Sequence, residues 1–515
     1  MKRVFVAPDP GRLRLRVSTR AVLGISLAVA AAELAGLSLT ASITGGLAAL
    51  LALFTVMDTS VRAQALTTAL LPVVGFPVLA LATTLHDRPL LRAAAWLAVV
   101  FCGAYARRFG PRGHALGIFA FMMFFVTQFL HAVPAELPSL FAAVALALAA
   151  ASAVRFGLWC IERRTPPPAA PAAPPARGLA RATTRQAFQV TAACAVAIAG
   201  GQVVSGERWY WAVGTAWWIF VNTASRGETL VRGFRRVVGT VVGIAAGLLV
   251  AVPLAGAPAP TALLVAVCVF GIFYTAAPSY SWMMFFVTMM AGLLYGLLGV
   301  LNSGLLVLRV EETLVGAAGA AIGVALVLPV TTHAATDAWI RRAVACVHRC
   351  TGAAARRLAG DASADPAPHV AELELLLGRV RMSLAPLTHP LSPLRARKAR
   401  ALKVLALLDV CARETKGLAA VAADPHASHD ARLTAACGRV EAAVHALVPP
   451  GATPGPAVPA GTAPVPAVPA APQVPGLPHH PGAEAALGHL HGLEEALAAL
   501  AAPVRTSPRA PLVPA

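Results

Sequence analysis

Twelve apolar runs, each close to the length that crosses a bilayer, constrain this chain more than any other feature of its sequence. A membrane-spanning helix needs about 20 mostly apolar residues, because the hydrocarbon layer is about 30 Å thick. Inside that layer the chain must satisfy its own backbone hydrogen bonds, so we expect every run to be an α-helix. The predicted spans are residues 21–37, 40–57, 64–85, 90–106, 114–131, 138–157, 186–204, 209–223, 235–254, 260–277, 282–301 and 311–330.

Composition argues against a soluble protein. Of the 515 residues, 57% are hydrophobic and only 13% are charged, whereas soluble domains carry about 25% charged residues. The net charge of +19 invites a nucleic-acid interpretation, but the basic residues lie in short stretches between apolar runs and form no groove with interleaved aromatic side chains. The sequence therefore predicts an all-α polytopic membrane protein whose partner is the lipid bilayer, with no nucleic acid.

Basic residues predict the orientation of the spans. An even number of crossings places both termini on one side; if that side is the cytoplasm, twenty of the Lys and Arg residues before position 333 lie inside. Only four then lie outside, and they are Arg88, Arg92, Arg208 and Arg309. This asymmetry follows the positive-inside rule, so we expect both termini to be cytoplasmic.

The chain also repeats itself. Residues 122–127 read MMFFVT, and the same six letters recur at residues 283–288. Upstream, Arg62 matches Arg226 and Asp58 matches Asn222 at a constant offset. Because each half has an even number of spans, both halves enter the membrane from the same side. We therefore expect two parallel repeats of about six helices with a pathway between them.

Hydropathy and composition divide the chain further. After Pro329 the periodicity is that of helices with mixed charge, and a later Pro/Ala-rich stretch cannot bury a core. The predicted organisation is transmembrane repeat 1 over residues 1–161, a Pro-rich cytoplasmic connector over 162–185, transmembrane repeat 2 over 186–332, a cytoplasmic helical region over 333–448, a disordered Pro/Ala-rich linker over 449–482, and a short helix and tail over 483–515.

Two segments of the second half carry a family resemblance. Arg226 to Gly247 reads RGETLVRGFRRVVGTVVGIAAG, and Arg309 to Pro329 reads RVEETLVGAAGAAIGVALVLP. Both resemble the pattern of the fusaric acid resistance protein-like family, which is related to bacterial aromatic acid exporters, and the resemblance covers roughly residues 15–345. It implies a multi-pass protein of the bacterial inner (plasma) membrane that exports aromatic or other organic acids at the expense of the proton gradient.

The second half also holds the residues that we predict to bind an organic anion. Arg232 and Arg236 precede a Gly-rich helix whose N-terminus adds partial positive charge, so they are candidates to recruit a carboxylate. The alternative is ordinary positive-inside anchoring. Phe285 and Phe286, in the repeated MMFF, are candidates to stack on an aromatic substrate, although the same residues suit helix packing.

Arg309 is the preferred candidate because positive-inside topology does not explain it. Glu312 lies three residues later and shares a helical face with it, and Glu311 lies between them. We predict that Arg309 binds substrate and that Glu312 and Glu311 couple protons; a structural ion pair is the alternative. Glu33 interrupts the first span and is a further proton-coupling candidate, unless it is simply solvated near the outer end.

Three functions remain open from the sequence. The first is a proton-coupled secondary exporter of organic acids, the second is a passive organic-anion channel, and the third is a non-transporting scaffold that uses its C-terminal helices. The sequence contains no catalytic constellation, P-loop or convincing metal-ligand spacing. We therefore expect no enzyme, no cofactor and no metal site. The sequence leaves a homo-oligomer open.

Overall fold

The computed structural model describes residues 12–159, 178–223, 225–254, 257–301, 303–329, 332–361, 363–388, 395–423, 431–447 and 482–505. Within these residues the ordered elements are all helical, and no β-strand occurs among them. This agrees with the predicted all-α class. The chain divides into two compact units, and their helices lie before and after residues 330–331.

The first unit contains twelve α-helices within the described residues. They are α1 (Leu13–Leu34), α2 (Leu39–Thr55), α3 (Val61–Thr84), α4 (Pro89–Ala106), α5 (Gly110–Phe129), α6 (Leu137–Trp159), α7 (Ala182–Val204), α8 (Tyr210–Phe220), α9 (Arg226–Leu254), α10 (Pro258–Ala276), α11 (Tyr280–Leu297) and α12 (Ser303–Leu326). Each corresponds to one predicted apolar run.

Eight segments of the described chain are long and apolar enough to cross a membrane, and one of them, Pro89–Phe129, contains both α4 and α5. The protein is therefore a multi-pass membrane protein. Helix α8 has only 11 residues, so it is about 16 Å long and cannot cross 30 Å of hydrocarbon by itself. The count of twelve crossings, and with it the orientation, stays a prediction.

Three helices begin eight or nine residues earlier than predicted. Helix α1 begins at Leu13, where the sequence predicted 21, α9 begins at Arg226, where it predicted 235, and α12 begins at Ser303, where it predicted 311. The prediction followed hydropathy and stopped at the charged residues. The helix continues through them because backbone hydrogen bonds do not depend on side-chain polarity, and Arg and Glu are good helix formers.

Helices in the two halves of the first unit have matching neighbours. Helix α1 packs on α2 and α6, as α7 packs on α8 and α12. Helix α3 packs on α5 and α6, as α9 packs on α11 and α12. Two of the contacts that join the halves also correspond, since α4 packs on α7 and α10 packs on α1.

The second unit is a helical bundle with its own apolar core. Its helices are α13 (Thr332–Leu358), α14 (Ala367–Thr388), α15 (Arg395–Ala422), α16 (Ala431–Leu447) and α17 (Ala483–Arg505). Helix α17 is the short helix predicted after the Pro/Ala-rich linker, and it packs on α15 and α16. The linker itself and most of the predicted connector lie outside the described residues.

Candidate functional site

A cavity of about 120 Å³ lies inside the first unit, between helices of its two halves. Its walls come from α2 and α5 of the first half and from α8, α9, α10 and α11 of the second. The lining is almost entirely apolar, with aromatic rings and methionines from both halves, and Arg236 is its one charged side chain. A planar apolar molecule with one negative charge matches this combination.

Arg236 is held at the cavity wall by its neighbours on α11. Its side chain is 5% exposed, and Nη1 donates to the Tyr280 hydroxyl at 3.3 Å and to Met284 Sδ at 2.9 Å. Arg232 stacks over the Tyr280 ring with its Cζ 3.9 Å from the ring centroid. The structure therefore brings the two predicted arginines together around Tyr280, with Arg236 at the cavity.

The repeated MMFF sequence contributes to the cavity through different residues from those predicted. Met283 and Met284 line it, as do Met122 and Phe125 of the first copy. Phe285 and Phe286 do not belong to the lining. Each is half-buried, and the Phe286 ring covers Gly271 of α10. The helix-packing alternative describes their placement, while substrate stacking by these two rings stays a prediction.

Arg309 is buried on α12, with 4% of its side chain exposed. Its Cζ lies 3.4 Å from the centroid of the Trp211 ring, a close cation–π contact. Trp211 also lines the cavity. Arg309 Nη1 has no hydrogen-bond partner within the described residues. The predicted substrate cation thus lies beside the cavity, behind Trp211, with unused donor capacity.

Glu312 is fully buried one turn further along α12. Neither of its carboxylate oxygens has a hydrogen-bond partner within the described part of the chain. Its charge interacts with those of Arg309, Arg208 and Glu311, although no N–O distance of 4.0 Å or less joins it to Arg309 among the described ion pairs. The two residues come together as predicted, but they do not form a close ion pair.

The other two proton-coupling candidates lie apart from this site. Glu311 is exposed on the opposite face of α12, because successive helical residues point about 100° apart. Glu33 is exposed in the last turn of α1. The structure therefore brings neither carboxylate together with Arg309 on the buried face, and proton coupling by Glu311 and Glu33 stays a prediction.

An aromatic cluster lies at one end of the cavity and includes Phe125, Phe129 and Trp211 of its lining. The Phe129 ring packs against Trp211 at 5.5 Å and against Tyr295 at 5.2 Å. Trp211 Nε1 donates to the Tyr295 hydroxyl at 2.5 Å. Phe125 meets Tyr210 edge-on at 5.7 Å. These rings close the cavity on the side of Arg309 and Glu312.

A second, polar pocket of about 490 Å³ lies beyond the aromatic cluster. We call it the vestibule. The α3–α4 connection, the end of α5 and the α7–α8 connection form it. Its charged and imidazole side chains are His86, Asp87, Arg92, His131 and Glu207. Tyr210 belongs to the vestibule lining and also touches the aromatic cluster, so it lies between the two.

The sequence analysis did not single out Tyr210, Trp211 or Tyr295 as site residues. The repeat offers a signal that could have found Trp211. At the offset that matches Arg62 with Arg226, Leu47 matches Trp211, and both side chains line the cavity. Within the described residues, no group of three or more His, Cys, Asp or Glu side chains could hold a metal ion.

Comparison with known proteins identifies one family. Residues 191–324 match the family described as fusaric acid resistance protein-like. The matched segment runs from within α7 to near the end of α12, so it includes Arg236, Trp211, Arg309 and Glu312. No curated protein and no solved structure matches the chain.

Proposed function

Because the chain belongs, over residues 191–324, to the fusaric acid resistance protein-like family, we propose that it is a secondary transporter that exports aromatic or other organic acids. The central cavity carries the proposal: it is apolar and rich in aromatic rings, with Arg236 as its one charged lining residue. Aromatic walls accept a planar ring, and a buried guanidinium replaces the water lost by its carboxylate.

The pathway runs between two parallel repeats. The matching neighbours of the helices in each half support this arrangement, as does the position of both MMFFVT copies on corresponding helices, α5 and α11. Helices α2 and α5 of the first half and α8 and α11 of the second supply most of the cavity wall, so the cavity lies between the halves. Substrate sites at the interface between repeats are typical of secondary transporters.

Proton coupling is assigned to Glu312. A buried carboxylate without hydrogen bonds is costly in its charged form, so it is suited to carry a proton through part of the cycle. Arg309 and Arg208 act on it from nearby and favour the charged form in another part of the cycle. The organic acid leaves as protons enter, in the bacterial inner membrane with both termini in the cytoplasm.

The test is transport by the full chain in proteoliposomes, with radiolabelled mandelate as a probe and a panel of other aromatic monocarboxylates as competitors. Arg236→Gln removes the cation of the cavity but keeps a polar side chain of similar length. We expect it to lower uptake at least tenfold at low substrate, mainly through a higher KM, since a charged hydrogen bond contributes about 1.5–3 kcal/mol.

Arg235→Gln is the matched control. It removes the same charge from the neighbouring position of α9, and Arg235 is not a lining residue of the cavity. Wild-type transport by Arg236→Gln would contradict the assignment. In planar-bilayer recordings, a current that reverses at the equilibrium potential of the anion would support a passive channel and contradict the exporter. Absence of any transport by the wild-type chain would favour the scaffold.

A further inference from the structure

The buried side chain of Tyr210 borders the vestibule and interacts with Glu312. Tyr210 is 2% exposed and belongs to the vestibule lining. Its hydroxyl lies beside that of Tyr295 without a hydrogen bond of good geometry, and it interacts electrostatically with Glu312. A buried hydroxyl in this position is available to exchange a proton on either side.

Glu312 lies among groups from several elements. Arg309 and Glu311 belong to its own helix, Arg208 to the segment before α8, and Tyr295 to α11. Buried atoms without partners within the described residues gather here, and they include both oxygens of Glu312, Arg309 Nη1 and the hydroxyl of Tyr210. Such groups in native proteins are usually satisfied by water, which predicts hydration at the buried face of α12.

Ionisable side chains line the vestibule. They are the carboxylates Asp87 and Glu207 and the imidazoles His86 and His131. The His131 ring lies 6.3 Å from that of Tyr210, and the charges of Glu207 and Arg208 act on it. The vestibule therefore places polar groups that can donate and accept protons next to Tyr210.

We infer that the vestibule is the proton entrance of the exporter and that the Tyr210 hydroxyl passes protons from it to Glu312. This inference rests on the proposed function. In the step, Tyr210 gives its hydroxyl proton to a carboxylate oxygen of Glu312 and takes a proton from a hydronium ion in the vestibule. The phenol O–H bond breaks as the carboxyl O–H bond forms, and a hydronium O–H bond breaks as the phenol O–H bond forms again. The net result is one proton moved inward, a neutral Glu312 and a water molecule left in the vestibule.

The test compares two activities of the full chain in proteoliposomes with labelled mandelate. Exchange at equal pH moves substrate without net proton movement, whereas accumulation driven by a pH gradient needs the proton route. We expect Tyr210→Phe to keep exchange within about twofold of wild type and to reduce gradient-driven accumulation at least tenfold. Glu312→Gln, which removes the proposed proton acceptor itself, should also reduce gradient-driven accumulation at least tenfold.

Tyr274→Phe is the control, because Tyr274 lies under Arg14 on another part of the first unit and should keep both activities. Tyr210→Phe with normal gradient-driven accumulation would overturn the Tyr210 route and leave the exporter intact. Loss of both activities would place Tyr210 in the substrate path and would also overturn the route. Failure of wild-type protein to exchange mandelate or any panel acid would instead contradict the proposed function.

Discussion

Buried charges in the first unit are of two kinds. Arg155 on α6 is 8% exposed, and it donates to the carbonyl oxygens of Ala52 at 2.7 Å and Val56 at 2.9 Å. It thereby satisfies the carbonyls at the end of α2, where a cation is favoured. Arg309 and Glu312 are as deeply buried but leave polar atoms unsatisfied. The contrast indicates a structural role for Arg155 and is consistent with the roles proposed for Arg309 and Glu312.

In the second unit we expect one partly buried contact to depend on pH. His489 Nδ1 of α17 lies 2.9 Å from a carboxylate oxygen of Glu414 on α15, and this hydrogen bond lowers the pKa of Glu414 below its usual value. A lowered folded-state pKa stabilises the fold above the unfolded value of about 4.3, and the contribution is lost as pH falls through the folded-state value. We expect α17 to lose protection on acidification below about pH 4.

Hydrogen–deuterium exchange of the full chain measures this effect. His489→Ala should lower the protection of α17 at pH 7 by roughly fivefold, the equivalent of about 1 kcal/mol for one hydrogen bond, and should flatten its response to acid. His491→Ala is the control, because His491 pairs with Glu495 on the exposed side of the same helix. An acid response in His489→Ala equal to that of wild type would contradict the assignment.

Helix packing in the first unit depends on particular glycines. A Cβ at Gly243 of α9 would lie 2.8 Å from the carbonyl oxygen of Phe285 and 2.9 Å from Thr288 Cβ on α11, whereas one at Gly247 would meet nothing within 4 Å. We expect Gly243→Ala to destabilise the protein by about 1–3 kcal/mol, through forced separation of α9 and α11.

The matched control on the same helix is Gly247→Ala. It should be neutral or stabilising, because alanine favours helix by about 1 kcal/mol over glycine. Thermal unfolding in detergent, followed by tryptophan fluorescence, would compare the two variants. A Gly243→Ala protein that melts no lower than the Gly247→Ala protein would show that the close approach contributes little.

At the level of elements, the sequence predicts which segments are helical but not which face each helix turns to its neighbours. Every span in this chain is apolar on all sides, so periodicity does not distinguish a lipid-facing residue from a cavity residue. This is why Phe285 and Phe286 were favoured over Met283 and Met284, the residues that line the cavity. Arg309 was singled out because the positive-inside rule does not explain it, and Glu312 because it lies three residues later on the same helical face.

On the scale of the whole molecule, two similarly packed halves carry different chemistry. At the offset that matches Arg62 with Arg226, the counterpart of Arg236 in the first half is Pro72. The cavity therefore has apolar walls from both halves and its charged lining residue from one. The two halves thus make matching helix contacts, whereas the proposed organic anion would meet a single charged side chain, that of Arg236.

The orientation of the first unit in the membrane depends on whether α8 crosses the bilayer despite its 11 residues. We expect that it completes a crossing together with the α7–α8 connection, so that Gly206 lies outside and Arg226 inside. Single Gly206→Cys and Arg226→Cys variants in intact cells test this with an impermeant maleimide, after subtraction of the labelling of the unsubstituted chain. Gly206→Cys should react in intact cells and Arg226→Cys only after permeabilisation. Labelling of both from the same side would show that α8 does not cross, and α9–α12 would then cross the membrane in directions opposite to those of their counterparts α3–α6.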